Sequence, residues 1–359
     1  MVKRLLFLNG LAAICIATYH AAAYGFSAMF EWTDRYRPVS VPNYDQVGSL
    51  SYYALLFVRN LDAFAIPAFI FVTGYFVAFL SRGNRSNISW TIIFSRIKVL
   101  LIPFTLWTLI RLGLMKDIPD NVHDVLSHYY YIVLVIQFYL LAPLLVPLAR
   151  KSWFLLVALA ALIEISTDGI FLFNYFGLDS PFVLQLQGYF PLWFFPRRIL
   201  LFAVGIVAGL YQKEFIEILA RFKWALVATA IALFSLSFLE YEFYAHLTGQ
   251  DWLGPTFRGI ANRNFGVVAI LAILAINTDR FFLSNQITWL GSRSFGIYLA
   301  NIPTIYPIAV FLYKYLPWVL GNQFLYQFVL VSAGLGIPLL LMAILSRSRG
   351  RGYYRFVFG

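Results

Sequence analysis

Residues 10–20 read GLAAICIATYH, ten largely small or apolar positions followed by a histidine. The stretch sits inside a longer apolar run, roughly 5–24, about the twenty residues a helix needs to cross a bilayer. A polar group left without partners in hydrocarbon costs several kcal/mol, so His20 has either company or a task. Nine further runs of the same kind follow, at about 62–82, 92–114, 129–149, 153–173, 193–211, 223–243, 259–277, 289–313 and 323–346. The whole chain agrees. Its 359 residues are 61% hydrophobic, 19% aromatic and only 12% charged, with a mean hydropathy of +0.76. A soluble domain is about half apolar and about a quarter charged. A membrane barrel would instead alternate polar and apolar residues in runs of about ten. The sequence therefore predicts an all-α polytopic membrane protein, a bundle of about ten transmembrane helices. The first run carries Asn9 and His20 and no small-residue cleavage site follows it, which marks it as a retained helix.

Lysine and arginine set the orientation. With the N-terminus in the cytoplasm, the inward side carries seventeen of the 27 Lys and Arg against three acids, Glu214, Glu217 and Asp279. The outward side holds the other ten against eleven acids, with Glu164 and Asp168 in or near the fifth span. This positive-inside asymmetry places both termini in the cytoplasm. It also accounts for the net charge of +11 without nucleic acid as a partner. The lipid bilayer is the partner the composition demands, and the basic tail 347–359 reads as an interfacial anchor. Residues 1–346 form one transmembrane domain. Its long outward segment 25–61 is either a lid over a site or an aromatic belt at the interface. A second aromatic segment, 174–192, has the composition of a sugar-gripping surface or of a membrane interface. Cys15 is the single cysteine, so no disulfide forms within the chain. His123 and His128 are five apart, without metal-ligand spacing, and His246 reads as solvated.

Intramembrane polar residues point to function, since each must be matched by something. His20 lies about 22 Å along its helix, and Asn9, eleven residues earlier, shares its face. An imidazole, with an ordinary pKa of about 6.5, takes a proton from a hydroxyl near neutral pH. Thr73-Gly74 lies in mid-span in PAFIFVTGYF (67–76). Arg96 and Lys98, at the start of the third span, suit a cytoplasmic anionic ligand or snorkel to lipid phosphate. The fourth span holds Gln137 and Tyr139. The ninth reads WLGSRSFGIYLANIP (289–303), with Ser294, Tyr298 and Asn301 on one face. Such stripes line a cavity or a bundle interior.

In this order the motifs resemble those of membrane-bound acyltransferase family 3, as a divergent member. The family's first helix carries an Arg, then Gly-Leu-Ala-Ala, then a His eleven positions after the Arg. Here the match is Asn9-Gly10-Leu11-Ala12-Ala13 with His20. PAFIFVTGYF resembles the second helix, with Thr73 where Ser is usual. SRIKVLLIPFTLW (95–107), QFYLLAPLL (137–145) and the ninth-span motif complete the set. The departures are Asn9 for the Arg, Val99 for the second Arg of the family's basic pair, and Asn301 for a common His.

The resemblance implies an integral-membrane O-acyltransferase of the bacterial inner membrane. It implies transfer of an acyl group, acetyl foremost, from cytoplasmic acyl-CoA to a hydroxyl of a cell-envelope carbohydrate or lipid-linked sugar. Acyl-CoA is then a co-substrate, and no cofactor or metal is bound. His20 becomes the general base and Asn9 a second catalytic residue, a candidate donor to the oxyanion. Arg96 and Lys98 hold the donor's phosphates, and Thr73, Gln137, Tyr139, Ser294, Tyr298 and Asn301 contact the oxyanion or the acceptor. The alternatives are a multi-pass transporter or flippase with a polar path, or an inactive relative.

Overall fold

The structure is a computed structural model that describes residues 1–81, 88–115, 129–175, 180–250, 252–254 and 259–359. His123 and His128, Arg82 and Arg85 lie outside them. The helices, in chain order, are α1 (Val2–Phe30), α2 (Leu50–Leu61), α3 (Ala65–Leu80), α4 (Trp90–Met115), α5 (Tyr130–Lys151), α6 (Trp153–Tyr175) and α7 (Pro181–Gly188). After these come α8 (Ile199–Leu210), α9 (Gln212–Arg221), α10 (Lys223–Thr248), α11 (Ile260–Ala275) and α12 (Ser284–Gly291). The last three are α13 (Ser294–Tyr315), α14 (Gln323–Arg347) and α15 (Tyr354–Phe358).

Among the described residues eight helical runs are long and apolar enough to cross a membrane, so the chain is a polytopic α-helical membrane protein. They are α1, the continuous run Leu50–Leu80 through α2 and α3, α4, α5, α6, α10, α13 and α14. Two of the ten expected spans differ. The run 193–211 begins with irregular chain, and its helix α8 has only twelve residues before Tyr211 leaves the helical region and α9 turns away by 109°. The run 259–277 yields a sixteen-residue helix, α11. A further difference concerns 25–61: α1 continues to Phe30 and α2 starts at Leu50, so the irregular stretch shrinks to 31–49 with one 3-10 turn at Thr33–Arg35.

The chain divides into two compact units. The first comprises Met1–Ala65, Leu106–Asp117 and Lys223–Gly359. Its spine is α1, packed on α12, α13, α14 and α2. The α1–α12 crossing depends on glycine: a Cβ at Gly10 would overlap the Ile287 carbonyl, and one at Gly291 the Leu6 carbonyl. Small residues that let backbones touch are the usual glue where lipid offers no hydrophobic drive between helices. Pairing of α10 with α11, and of α13 with α14, completes the unit. The chain end is tied in by Phe358, buried beside Gly296, and by the Trp107 indole N–H, which donates to the Val357 carbonyl at 2.8 Å.

The second unit comprises Ile66–Thr105 and Ile118–Phe222. Here Gly74 of α3 faces the Phe202 carbonyl of α8, while Gly205 of α8 faces the Phe71 carbonyl of α3, a reciprocal contact that no side chain would permit. Phe138 of α5 stacks on Phe202 at 4.4 Å. Glu164 of α6 accepts the Leu200 backbone N–H at 2.8 Å, so the carboxylate caps the N-terminal turn of α8, where a negative charge is favoured. That contact explains how an acid is tolerated inside the fifth apolar run.

Candidate functional site

The site in the first unit is built on a proline. In a regular helix the Gly334 carbonyl accepts the N–H four residues on, but that residue is Pro338, which has none. The carbonyl takes the Asn301 Nδ2–H of α13 instead, at 3.0 Å. Gly334 permits the approach, because a Cβ there would lie 2.8 Å from Asn301 Nδ2. With its amino group committed to that carbonyl, the Asn301 amide can turn only its Oδ1 toward α1. There it meets His20 Nδ1 at 2.6 Å. An amide oxygen accepts and never donates, so His20 Nδ1 carries the proton. In the neutral ring Nε2 is then the basic nitrogen.

The pair is well held. Asn301 is fully buried, Thr304 Oγ1 donates to its backbone carbonyl at 2.8 Å, and Gln327 Nε2 of α14 donates to the Ala21 carbonyl, next to His20, at 3.1 Å. The Tyr19 and His20 rings lie 5.6 Å apart. Ser294 and Tyr298 are buried on α13 with Asn301. Tyr298 is one turn from Asn301, whereas Ser294 opens the helix about 10 Å below it. Asn9 has its Oδ1 buried with no hydrogen-bond partner among the described residues. It is about 16 Å from His20 along α1, so the two cannot act on one reacting atom. Arg4, near the start of the same helix, donates to the Leu274 carbonyl at 2.8 Å.

The other five expected site residues belong to the second unit. Thr73 Oγ1 donates to the Phe69 carbonyl at 2.8 Å and lies 3.3 Å from the Tyr131 hydroxyl. Gln137 has a structural task. Its Nε2 donates to the carbonyls of Val133 and Trp193 at 3.2 and 2.6 Å, and its Oε1 accepts the Phe195 N–H at 3.2 Å. The irregular chain before α8 needs those partners, since bare backbone is not tolerated at membrane depth. Arg96 and Lys98 are exposed on α4 and flank the buried Ile97, about 100° to either side. A single phosphate therefore engages one or the other. Among the described residues no three His, Cys, Asp or Glu side chains gather as metal ligands.

Sequence reasoning missed the Pro338–Gly334 pair and Gln327. The signal for the first was present, a proline in a span with glycine four residues before it.

A multi-helix membrane protein with a half-buried, tautomer-fixed histidine is a candidate for proton-transfer chemistry within the bilayer. Comparison with known families gives the class: the model described as an acyltransferase domain matches residues 5–343, and the chain belongs to that acyltransferase-3 family. Neither curated proteins nor solved structures gave a match.

Proposed function

We propose that the protein is an integral-membrane O-acyltransferase that moves an acyl group, acetyl foremost, from cytoplasmic acyl-CoA to a hydroxyl of a cell-envelope carbohydrate or lipid-linked sugar. The observation that carries this reading is the His20–Asn301–Gly334 chain of hydrogen bonds, which presents Nε2 as a base of fixed tautomer. Family membership supplies the reaction class.

In the proposed reaction Nε2 takes the proton of the acceptor hydroxyl as its oxygen attacks the thioester carbonyl. The Asn301 oxygen keeps its bond to Nδ1–H and steadies the imidazolium that forms. Collapse of the tetrahedral intermediate breaks the carbon–sulfur bond, and the imidazolium returns the proton to the leaving thiolate, giving the ester and free CoA. Tyr298, one turn from Asn301, is the candidate donor to the oxyanion, the interaction that usually contributes most in acyl transfer. Arg96 or Lys98 holds the donor's phosphates at the cytoplasmic side, and Asn9 meets the extended donor arm. Thr73 and Tyr139 are candidates for contacts with the donor. Ten crossings with both termini cytoplasmic, in the bacterial inner membrane, complete the proposal.

The test measures acetyl-CoA consumption by membranes carrying wild type or His20→Ala, with mass spectrometry of envelope glycans. Acylation that falls by about 10²-fold or more in the variant supports the base. No CoA release and unchanged glycans in the wild type overturn the reading.

A further inference from the structure

No acidic residue follows Asp279, and the stretch 347–355 carries four arginines, Arg347, Arg349, Arg351 and Arg355. The first ends α14, the next two lie on a 3-10 turn, Arg349–Tyr353, and the last is on α15. All four are exposed, and none makes an ion pair or a side-chain hydrogen bond among the described residues. Tyr353 and Phe356 stand among them, 67% and 48% exposed.

The segment that carries these side chains is docked. Ser348 Oγ donates to the Leu345 carbonyl and accepts the Gly350 N–H, both at 3.0 Å, which turns the chain out of α14. Helix α15 then packs on α13 and α14. Its Phe358 is buried, with its ring 5.9 Å from that of Trp107 and 5.5 Å from that of Tyr354. Gly296 of α13 makes the room, because a Cβ there would lie 3.1 Å from Phe358 Cβ. The Trp107 indole holds the Val357 carbonyl next to it. Gly296 is five residues before Asn301, about 8 Å along α13. The docked segment and the helix that orients His20 therefore belong to one packed body, within the first unit.

A guanidinium is a planar fork of donors matched to phosphate oxygens, and cations interleaved with exposed rings suit a phosphorylated base, its phosphates on the arginines and its ring stacked. We propose that the docked tail is a nucleotide-binding surface: its arginines hold the diphosphate and 3′-phosphate of acyl-CoA, and the adenine stacks on Tyr353 or Phe356. This rests on the acyltransferase reading, with the tail in the cytoplasm, for the identity of the ligand as the donor, but not for the binding itself. Anionic lipid headgroups offer the same phosphate chemistry, and the experiment separates the two sources.

Full-length protein in phosphatidylcholine nanodiscs is titrated with desulfo-CoA, which cannot turn over. Arg351→Gln with Arg355→Gln, both exposed and so without consequence for folding, is expected to weaken binding about tenfold or more. Phe358→Ala keeps every arginine but releases the docked segment, and is expected to weaken binding as well. Failure of the wild type to bind overturns the proposal, as does affinity unchanged in the arginine variant. Affinity that falls only in Arg96→Gln with Lys98→Gln also overturns it, by returning the phosphates to α4. Arginine-dependent binding that survives Phe358→Ala overturns the docked site in favour of a loose tether. Phosphatidylglycerol is then mixed into the discs. Weaker desulfo-CoA binding in the wild type but not in the arginine variant assigns the arginines to lipid headgroups as well; unchanged binding reserves them for the nucleotide. The expected pattern without CoA release from acetyl-CoA overturns the enzyme and keeps the site, while glycan acylation with an unchanged KM for acetyl-CoA in the arginine variant does the reverse.

Discussion

At the scale of single residues, one missing N–H governs the tautomer of His20. Pro338 frees a carbonyl, Asn301 satisfies it, and the remaining amide oxygen fixes the proton on His20. The coupling is testable as a cycle. Asn301→Leu leaves the Gly334 carbonyl buried and unpaired, at a cost of about 1–3 kcal/mol. Pro338→Ala supplies the helix's own N–H to that carbonyl. In its background, Asn301→Leu is expected to cost less stability, by about 1 kcal/mol, in thermal unfolding of the purified protein. Activity is not rescued, because the Asn301 oxygen is gone in either case. Equal costs in both backgrounds would sever the proline from the site. His20 and Asn301 were visible in the sequence as polar residues in apolar runs. Their pairing was not, since it depends on how α1, α13 and α14 face one another. Asn301 was expected at the oxyanion or acceptor, and in the structure its amide oxygen meets His20 Nδ1.

At the scale of elements, glycines set which helices touch. Gly74 and Gly205 each meet the backbone of the other's helix, at Phe202 and Phe71, so Gly74→Val and Gly205→Val should each destabilise by about 1–3 kcal/mol in thermal unfolding. The double variant should cost less than the sum, because both act on one crossing. Additive losses would mean that the two glycines do not share a contact. Composition and apolar run length revealed most of the helices, including the eight among the described residues that are long enough to cross. They did not show that 193–211 begins as irregular chain, because hydropathy sees Trp193, Phe194 and Phe195 as apolar while Pro196 and the arginines after it break the helix. The structural task of Gln137 was hidden for the same reason: the backbone it satisfies is invisible until the chain is folded. The long segment 25–61 appeared as a loop because its aromatic and charged residues mask the helical stretches at both ends.

At the scale of the molecule, charge and topology can be probed together. The Lys3 ammonium pairs with the Asp279 carboxylate and holds that carboxyl below the ordinary range. A depressed folded pKa means the contribution to stability is present above the unfolded value of about 3.9 and is lost as pH falls through the folded one. Both groups are exposed, so the effect is small and salt-screened. The difference in melting temperature between wild type and Asp279→Asn should shrink as pH drops through the carboxylate range, and at about 1 M salt. A difference that grows on acidification would contradict the pairing. Cys15, the single cysteine, is buried, so single cysteines introduced at Lys3 and Arg347 in a Cys15→Ala background report the side of each terminus. Both should react with a membrane-impermeant maleimide only after the cells are opened.

The chain has only four histidines, and that scarcity turns the His20–Asn301 bond into a spectroscopic handle. Selective nitrogen-15 labelling of histidine reduces a 41.1 kDa membrane protein to eight ring nitrogens. One ring should stay locked with its proton on Nδ1, and in Asn301→Leu that resonance pair should collapse toward the averaged shifts of an imidazole exchanging between tautomers. The state of the proposed base is thus observable without substrate, donor or turnover.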